Sequence, residues 1–323
     1  MVVRKGTKES KRKTTEEEMD ELFKTVDFGE ESEGEIDKGL SAPVTFESEV
    51  PDMPKLKTGF VDISVSNFND LINRLNCNGI FDTTAMIFNG NGSAYMCKGD
   101  DTLARHCMLK KGKEDKEGFS IIGEGTLVME WNKIKLKLKD FDSSAIISFY
   151  YDPKKKVFVM GHEKPYKQIY ELQAQGNSPE HIIESQTYEK EEEDYFVNGI
   201  KLDTKIQINA VELRKPISII LRESQSVMIP IDIKDGKLVF DLEYNKDGTK
   251  EKFYMEIPPI KLTPPNSDCY STYRDGIVEV LGSSVGEVEL YISSNSPLMV
   301  IEKYSVHGLT IISTINNFVN ESA

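Results

Sequence analysis

The residues with the widest chemical repertoire are four histidines and four cysteines. Only His106 and Cys107 are close neighbours among them, and no C-x-x-C pair occurs. A tetrahedral zinc site needs four thiolate or imidazole ligands, usually in closely spaced pairs. We therefore predict no metal site and expect four ordinary buried or partly buried thiols in a reducing compartment. These cysteines are Cys77, Cys97, Cys107 and Cys269.

The sequence also lacks the spacings that bring a nucleophile to a base. It contains no G-x-S-x-G, no H-E-x-x-H and no Walker phosphate-binding segment. The G-N-G at Gly90–Gly92 lies between two strand-like runs, which favours a hairpin turn over a phosphate loop. We predict no catalytic residue and no cofactor, so the function is expected to reside in surfaces.

Composition limits which surfaces are possible. The chain has 323 residues, a net charge of −14 and a pI of about 4.9. Such a protein does not coat nucleic acid with its whole surface, although a small basic patch on an acidic body remains possible. No apolar run reaches the roughly 18 to 20 residues of a membrane span, and no apolar signal-peptide core is present. We expect an intracellular protein that is neither secreted nor membrane-bound.

Four segments predict amphipathic helices. Ser66 is the expected N-cap of the first helix and Ser271 that of the fourth. In the second, lysines alternate with apolar residues from Lys133 to Lys139, as in a half-buried strand, but a longer helical stripe favours a helix. The stripes are Phe68, Leu71, Ile72 and Leu75; Leu127, Trp131, Ile134, Leu138 and Phe141; Leu213, Ile217, Ile220 and Leu221; and Tyr273, Ile277, Val280 and Leu281.

Each predicted helix is followed by strand-like runs separated by turn residues, and the order helix, meander, helix, meander occurs twice. We predict a charged, disordered N-terminal tail at residues 1–56, a first domain at 57–174 and a second at 205–323. Residues 175–204 between the domains are polar and strongly acidic and too long for an ordinary turn, and we expect an interdomain linker there.

The last unit, Cys269 to Ser313, runs helix, strand, turn, strand and closing strand, with Asn295, Ser296, Pro297 and Leu298 at the turn. It resembles the C-terminal unit of the PCNA-type DNA sliding clamps, whose turn reads D-x-P-L. The resemblance in order and length covers Phe60 to Phe318, about four-fifths of the chain. It implies an α+β DNA-clamp fold with two similar domains, each with two inner helices and outer antiparallel sheets.

The resemblance also implies a function without chemistry. Three chains of a sliding clamp close a ring around double-stranded DNA, without sequence specificity, and tether DNA polymerase after a clamp loader has placed the ring. A homotrimer acting on DNA in a nucleus, nucleoid or viral replication site is therefore the implied assembly. The inner wall needs cations on the outward faces of the helices. Here these are Arg74, Lys133, Lys137, Arg214, Lys215, Arg222 and Arg274.

Two further surfaces are implied by the same resemblance. Edge strands at Tyr166–Gln173 and Lys250–Ile257 are expected to join neighbouring chains, through Tyr166, Ile169, Tyr170, Leu172, Lys252, Phe253, Tyr254 and Met255. Client peptides are expected in a groove lined by Asp101, Thr102, Leu103, Tyr195, Phe196, Val197, Ile315 and Phe318. The linker is longer and more acidic than usual and the family's C-terminal Ala-Pro is missing, so client specificity does not carry over.

Two alternatives remain open from the sequence. One is a monomeric or hetero-trimeric relative of the clamps, such as a viral processivity factor or a checkpoint clamp subunit. The other is an all-β structural or scaffold protein without a DNA role, in which the helix cations could be neutralised without loss of function.

Overall fold

The computed structural model describes residues 53–99, 102–110, 119–163, 166–177, 188–224, 228–274, 276–305 and 308–317. Most of the predicted tail, including residues 1–52, lies outside these ranges. The four α-helices in them are α1 (Val65–Leu75), α2 (Trp131–Leu138), α3 (Ala210–Ser224) and α4 (Gly276–Ser283), and a short 3-10 helix spans Cys77–Gly79. Among the described helices, none is long and apolar enough to cross a membrane.

The strands of the first half of the chain are β1 (Thr58–Ser64), β2 (Thr83–Asn89), β3 (Ser93–Gly99), β4 (Leu103–Lys110), β5 (Ser120–Ile122), β6 (Gly125–Glu130), β7 (Ile146–Asp152), β8 (Val157–His162) and β9 (Gln168–Gln173). Three short strands follow: β10 (Tyr188–Glu191), β11 (Asp194–Val197) and β12 (Ile200–Leu202). The second half contains β13 (Thr204–Asn209), β14 (Ile229–Lys234), β15 (Lys237–Lys246), β16 (Thr249–Ile257), β17 (Lys261–Thr263), β18 (Cys269–Tyr273), β19 (Glu287–Ile292), β20 (Leu298–Tyr304) and β21 (Leu309–Ile315).

A central sheet of nine strands connects the two halves, in the order β17-β13-β19-β20-β21-β4-β3-β2-β6. The connection is the antiparallel pairing of β21 with β4, from Leu309 opposite Leu109 to Ile315 opposite Leu103. The N-terminal sheet has the order β5-β1-β7-β8-β9, and the C-terminal sheet has the order β16-β15-β14-β18. Helices packed on antiparallel sheets, in two similar halves, confirm the predicted α+β architecture.

Apolar periodicity explains two cores, each between helices and sheets. The stripe of α1 packs with Trp131, Ile134 and Leu138 of α2 against the N-terminal and central sheets. In the second half, Leu213, Ile217 and Ile220 of α3 and the stripe of α4 form the other core. Burying each large apolar side chain contributes about 1.5–3 kcal/mol, which makes these stripes the main driving force for docking the helices.

Three helix boundaries differ from the sequence expectations. Helix α1 begins earlier than predicted, because β1 ends at Ser64 and the hydroxyl of Ser64 accepts the Asn67 N–H at 3.2 Å. Leu127 lies in β6, since residues 125–130 pair with β2 and only Trp131 onward is helical. Ser271 and Tyr273 belong to β18, which pairs with β14, so the fourth helix starts at Gly276 and Ser271 is not its N-cap.

Part of the predicted acidic linker forms three short strands, which the sequence analysis did not predict. Strands β10, β11 and β12 form a separate antiparallel meander, which we call the linker sheet (Tyr188–Leu202). Asn198 and Gly199, both with positive φ, make the tight turn between β11 and β12, and an Asn-Gly pair suits such a turn. The remaining predicted linker residues 178–187 lie outside the described ranges.

A buried ion pair crosses the junction of the halves. Arg105 of β4 donates to Glu302 of β20 at 3.4 Å across β21, and both side chains are essentially inaccessible to solvent. Arg105 also contacts the thiol of Cys77 at 3.3 Å and the hydroxyl of Ser313 at 3.4 Å. A buried charge without its partner lowers the stability of the folded protein. This ion pair therefore favours a single register of β4 relative to β20.

We expect Glu302→Gln to lower the free energy of unfolding by about 3–5 kcal/mol, because it leaves the Arg105 guanidinium buried without a counter-charge. Glu243→Gln, which breaks the exposed pair with Lys250, is the matched control and should cost less than about 1 kcal/mol. Urea denaturation measures both. Equal losses for the two variants would contradict a structural role of the buried pair.

Candidate nucleic-acid and partner surfaces

The cysteines and histidines do not form a reactive centre in the described part of the chain. All four cysteines are buried and free, which confirms the expected buried thiols. Burial raises the pKa of Cys107 to about 12 and that of Cys269 to about 11, so neither is a thiolate at neutral pH. No group of three or more His, Cys, Asp or Glu residues in the described ranges could hold a metal ion.

Helix α2 presents the densest set of cations. Trp131 anchors its first turn, with the indole N–H donating to the Thr84 hydroxyl at 2.8 Å. With that face buried, Lys133 points to solvent and pairs with Glu130 at 2.5 Å, while Lys137 lies half-buried with its ammonium 5.1 Å from the ring centre of Tyr170. Both predicted residues are therefore on the face away from the core.

The sequence analysis missed a third lysine on this helix. The ammonium of Lys135 donates to the Asn73 side chain of α1 at 2.7 Å, so it bridges the two helices. Residues two positions apart lie on opposite sides of an α-helix, so Lys135 is on the flank of α2 that faces α1, away from Lys133 and Lys137. Helix α2 thus carries one more cation than predicted, on a different flank.

Helix α3 carries the second cationic surface. Lys215 and Arg222 are exposed, and Arg214 is half-buried. Leu213, Ile217 and Ile220 are fully buried on the opposite side, as the stripe predicted. Arg222 pairs with Glu223 at 2.8 Å, and Glu223 also binds Lys246, so part of this charge is neutralised locally.

The other two helices do not share this pattern. Arg74, predicted to face DNA from α1, is only 8% exposed. Its guanidinium binds Asp70 through two hydrogen bonds of 2.9 and 3.1 Å and stacks 3.8 Å from the ring centre of Tyr304. The placement of Arg74 on the outward face is therefore wrong: position 74 lies beside Leu75 at the sheet, where an aromatic ring and a carboxylate compensate its charge.

In α4 the only charged residue is Glu279, and the predicted Arg274 precedes the helix on an exposed connection. The expectation that each helix carries an outward cation thus holds for α2 and α3, and fails for α1 and α4. Solvent-side residues of α1 are uncharged or acidic, as with Asn69 and Asp70. Any phosphate contact by these helices is concentrated on α2 and α3.

Both predicted interface strands are edges of their sheets. Strand β9 is bonded only to β8, and β16 only to β15, in the described part of the chain. On each edge, side chains alternate between core and solvent: Tyr170, Leu172, Phe253 and Met255 lie against the cores but stay half-buried, whereas Tyr166, Ile169, Lys252 and Tyr254 are exposed. Unpaired strand edges with incompletely covered core residues are suited to pairing with another chain.

Two of the segments predicted to line the client groove lie close to each other and to the linker sheet. Asn316 N–H donates to the Thr102 carbonyl at 2.9 Å, next to the pairing of β21 with β4. From the linker sheet, the Asn198 side chain reaches Asn316 at 3.4 Å. The three segments therefore lie next to one another.

The apolar side chains predicted to line that groove are nevertheless covered. Leu103 and Ile315 are 2% and 1% exposed, because they belong to the second core beneath α4. Tyr195 and Val197 face the central sheet from β11 and are also buried, so these four residues do not line an open groove. Only Thr102 and Phe196 are accessible, and Asp101 and Phe318 lie outside the described residues.

Known structures with the same architecture were compared with this chain. PCNA from Entamoeba histolytica superimposes with a TM-score of 0.61 at 13% identity, covering 83% of this chain and all of that one. PCNA from A. fulgidus, bound to the C-terminal region of FEN-1, gives 0.61 at 12% identity over 83% of this chain and 100% of its own. PCNA from Thermococcus kodakaraensis gives 0.59 at 16% identity, covering 81% and 100%.

The chain has the PCNA fold. No family model matches its sequence, and no curated protein matches it either. With identities of 12–16%, the shared property is the architecture, and the individual surfaces must be judged from the residues that this chain places on them.

We expect Arg74→Met to reduce the free energy of unfolding by roughly 1–3 kcal/mol, because the Asp70 carboxylate and the Tyr304 ring lose a charge that both contact. Lys133→Met is the matched control on an exposed helix position and should change stability by about 0.5 kcal/mol or less. Chemical denaturation of both variants measures the difference. A loss at Lys133 as large as at Arg74 would contradict the assigned environments.

Proposed function

We propose that this protein is a DNA sliding clamp: a ring of three copies that encircles duplex DNA without reading its sequence and tethers DNA polymerase and other replication or repair proteins. It catalyses no reaction in this role. The observation that carries the proposal is the PCNA fold together with two strand edges that have no partner strand among the described residues, β9 and β16, one in each half of the chain.

Ring formation follows from the chemistry of those edges. A free edge exposes unpaired backbone N–H and C=O groups, and a second edge of matching length satisfies them through a continuous sheet. Pairing β9 of one copy with β16 of the next would also cover Tyr170 and Leu172 on one side and Phe253 and Met255 on the other. Each copy carries one edge in each half, so the contact joins different surfaces of two neighbouring copies. Such a head-to-tail contact can close into a ring.

DNA binding is proposed to involve the solvent-side surfaces of α2 and α3, through Lys133, Lys137, Arg214, Lys215 and Arg222, with Arg274 at the start of α4 as an additional cation. Lysine and arginine on a helix surface contact phosphates without base specificity. The net charge of −14 opposes adsorption of DNA elsewhere on the protein. Arg74 is not part of this surface.

Tethering converts dissociation of a bound polymerase into rapid rebinding at high local concentration. A closed ring achieves this through topology, so individual phosphate contacts can stay weak. In A. fulgidus PCNA, the C-terminal region of FEN-1 is bound, and we propose that this chain likewise takes short segments of its clients. A clamp loader would be needed to open the ring, and the site of action is DNA inside the cell.

Assembly is tested by native mass from light scattering, at micromolar concentration, on the full chain. We expect the mass of three chains, and the mass of one chain for the double variant Ile169→Glu, Tyr254→Glu, because buried carboxylates at both edges prevent strand pairing. Val285→Glu replaces a similarly exposed apolar residue between α4 and β19, outside both edge strands, and should stay trimeric. A single-chain mass for the unmodified protein would favour the monomeric or hetero-trimeric alternative.

DNA retention is tested with the fourfold charge reversal Lys133→Glu, Lys137→Glu, Lys215→Glu and Arg222→Glu. We expect loss of retention on nicked circular DNA and of polymerase stimulation, with the trimer mass unchanged, because the phosphate contacts become repulsive. The control reverses Lys154, Lys156, Lys234 and Lys303, which are exposed on turns and strands outside the helices. Equal activity of both variants would leave the scaffold alternative standing.

A further inference from the structure

The four α-helices form one row, in the order α2-α1-α4-α3. The Lys135 ammonium joins α2 to the Asn73 side chain of α1 at 2.7 Å. The short 3-10 helix that follows α1 contacts α4, and α4 contacts α3. Among the described residues, α2 and α3 are therefore the two ends of the row.

Exposed cations are concentrated at these two ends. Helix α2 contains three lysines and no carboxylate. Helix α3 contains three cations, Arg214, Lys215 and Arg222, against two carboxylates. The two middle helices differ, because the only cation of α1 is the buried Arg74 and the only charged residue of α4 is Glu279. Positive charge is thus low where helices meet inside one chain and high at both ends of the row.

Each end of the row also reaches one of the two open strand edges. The Lys137 ammonium lies 5.1 Å from the ring centre of Tyr170 in β9, and the Tyr170 hydroxyl donates to Asp140, just after α2, at 2.9 Å. At the other end, Glu223 of α3 binds Lys246 of β15 at 2.5 Å, and α3 contacts β16. The cations of α2 therefore lie beside β9, and those of α3 lie beside the hairpin that contains β16.

Pairing β9 of one copy with β16 of another would bring these two ends together. Tyr170 and Phe253 pack against the cores, so they lie on the same face of their sheets as the helices. In one continuous sheet these two faces are on the same side, and neighbouring strands are about 4.8 Å apart. Helix α2 of one copy would then lie next to α3 of the other. We call this contact the β9–β16 interface.

Two groups of cations that meet at this interface repel each other. Helix axes in contact lie about 8–10 Å apart, which is close to the Debye length of about 8 Å at 0.15 M salt, so the repulsion is only partly screened. Carboxylates cancel part of the charge, because Glu130 binds Lys133 and Glu223 binds Arg222. Lys137 lies against an uncharged ring instead. A phosphate chain between the two helices would attract both groups of cations.

We propose that each β9–β16 interface is a composite site for duplex DNA, built from α2 of one copy and α3 of the next, and that bound DNA holds the interface closed. This inference rests on the proposed function, because it requires copies to pair through these two edges. Neither copy contains the complete site. DNA that binds the closed interface more tightly than separate copies lowers the dissociation constant of the ring by the same factor. A ring without DNA is weakened by the repulsion.

Reversing the charge of one helix at a time tests the repulsion on the full chain without DNA. We expect Lys133→Glu, Lys137→Glu and, separately, Lys215→Glu, Arg222→Glu each to lower the dissociation constant of the trimer at least tenfold, because opposite charges then face each other. The fourfold variant that combines them restores like charges and should lie within about threefold of the unmodified chain. Mass photometry over a dilution series at about 50 mM salt, where screening is weak, measures all four proteins.

The net charge alone predicts the opposite order of stabilities. Each reversal makes an acidic chain more negative, so general repulsion between copies would weaken every variant, and the fourfold variant most. The matched control reverses Lys110 and Lys303, which are exposed on the central sheet away from both edges, and should not tighten the trimer. Unchanged or weaker assembly of the α3 variant would overturn the proposal. This variant also decides the test if the α2 variant, which loses the contact between Lys137 and Tyr170, does not fold.

Adding DNA tests the composite site itself. A linear duplex of about 30 base pairs should lower the dissociation constant of the unmodified trimer at least tenfold and leave that of the fourfold variant unchanged. An equal effect on both proteins, or on neither, would overturn the proposal. A stable trimer with the same dissociation constant in every variant would refute this inference alone. A single-chain mass for every protein, with and without DNA, would refute the proposed ring as well.

Discussion

The pairing of β21 with β4 is the constraint on which the rest of the structure depends. It joins sheets from the two halves into one central sheet, so that neither half has a complete set of strands by itself. Leu309 and Ile311 of β21 contribute to the first core, and Ile315 to the second. The Arg105–Glu302 pair lies across this junction, where a slip of one residue would bury both charges without partners.

Fixing the junction determines where the functional surfaces can be. With the central sheet shared, the helices cover one of its faces and the linker sheet covers part of the other. The edges β9 and β16 belong to the two remaining sheets, which end without a partner strand within the described residues. A single chain therefore has a cationic helix surface and, among the described residues, two open strand edges at separate places.

The sequence predicted the fold well because the fold depends on periodicity. The stripes Phe68 to Leu75 and Leu213 to Leu221 repeat at helical spacing, and the edge strands read as alternating runs between turn residues. Local patterns could not show that Arg74 would turn inward, since Tyr304, 230 positions later in the sequence, supplies the ring that holds it. Nor could they show that Leu103 and Ile315 pair directly and are covered. The linker sheet was missed because acidic residues dominate its composition. Tyr188 and Tyr195, whose rings contact His106 and Tyr291 of the central sheet, are only two residues of a long polar segment.

The shared central sheet also has a consequence for biosynthesis. Strand β21 is translated long after α1 and α2, yet it supplies Leu309 and Ile311 to the core that these two helices form. The first half must therefore wait with one flank of β4 uncovered while the second half is translated. Nascent chains with such open flanks are substrates for chaperones and prone to mispairing. The same connection that joins the two halves delays completion of the first core until the strands of the second half have been made.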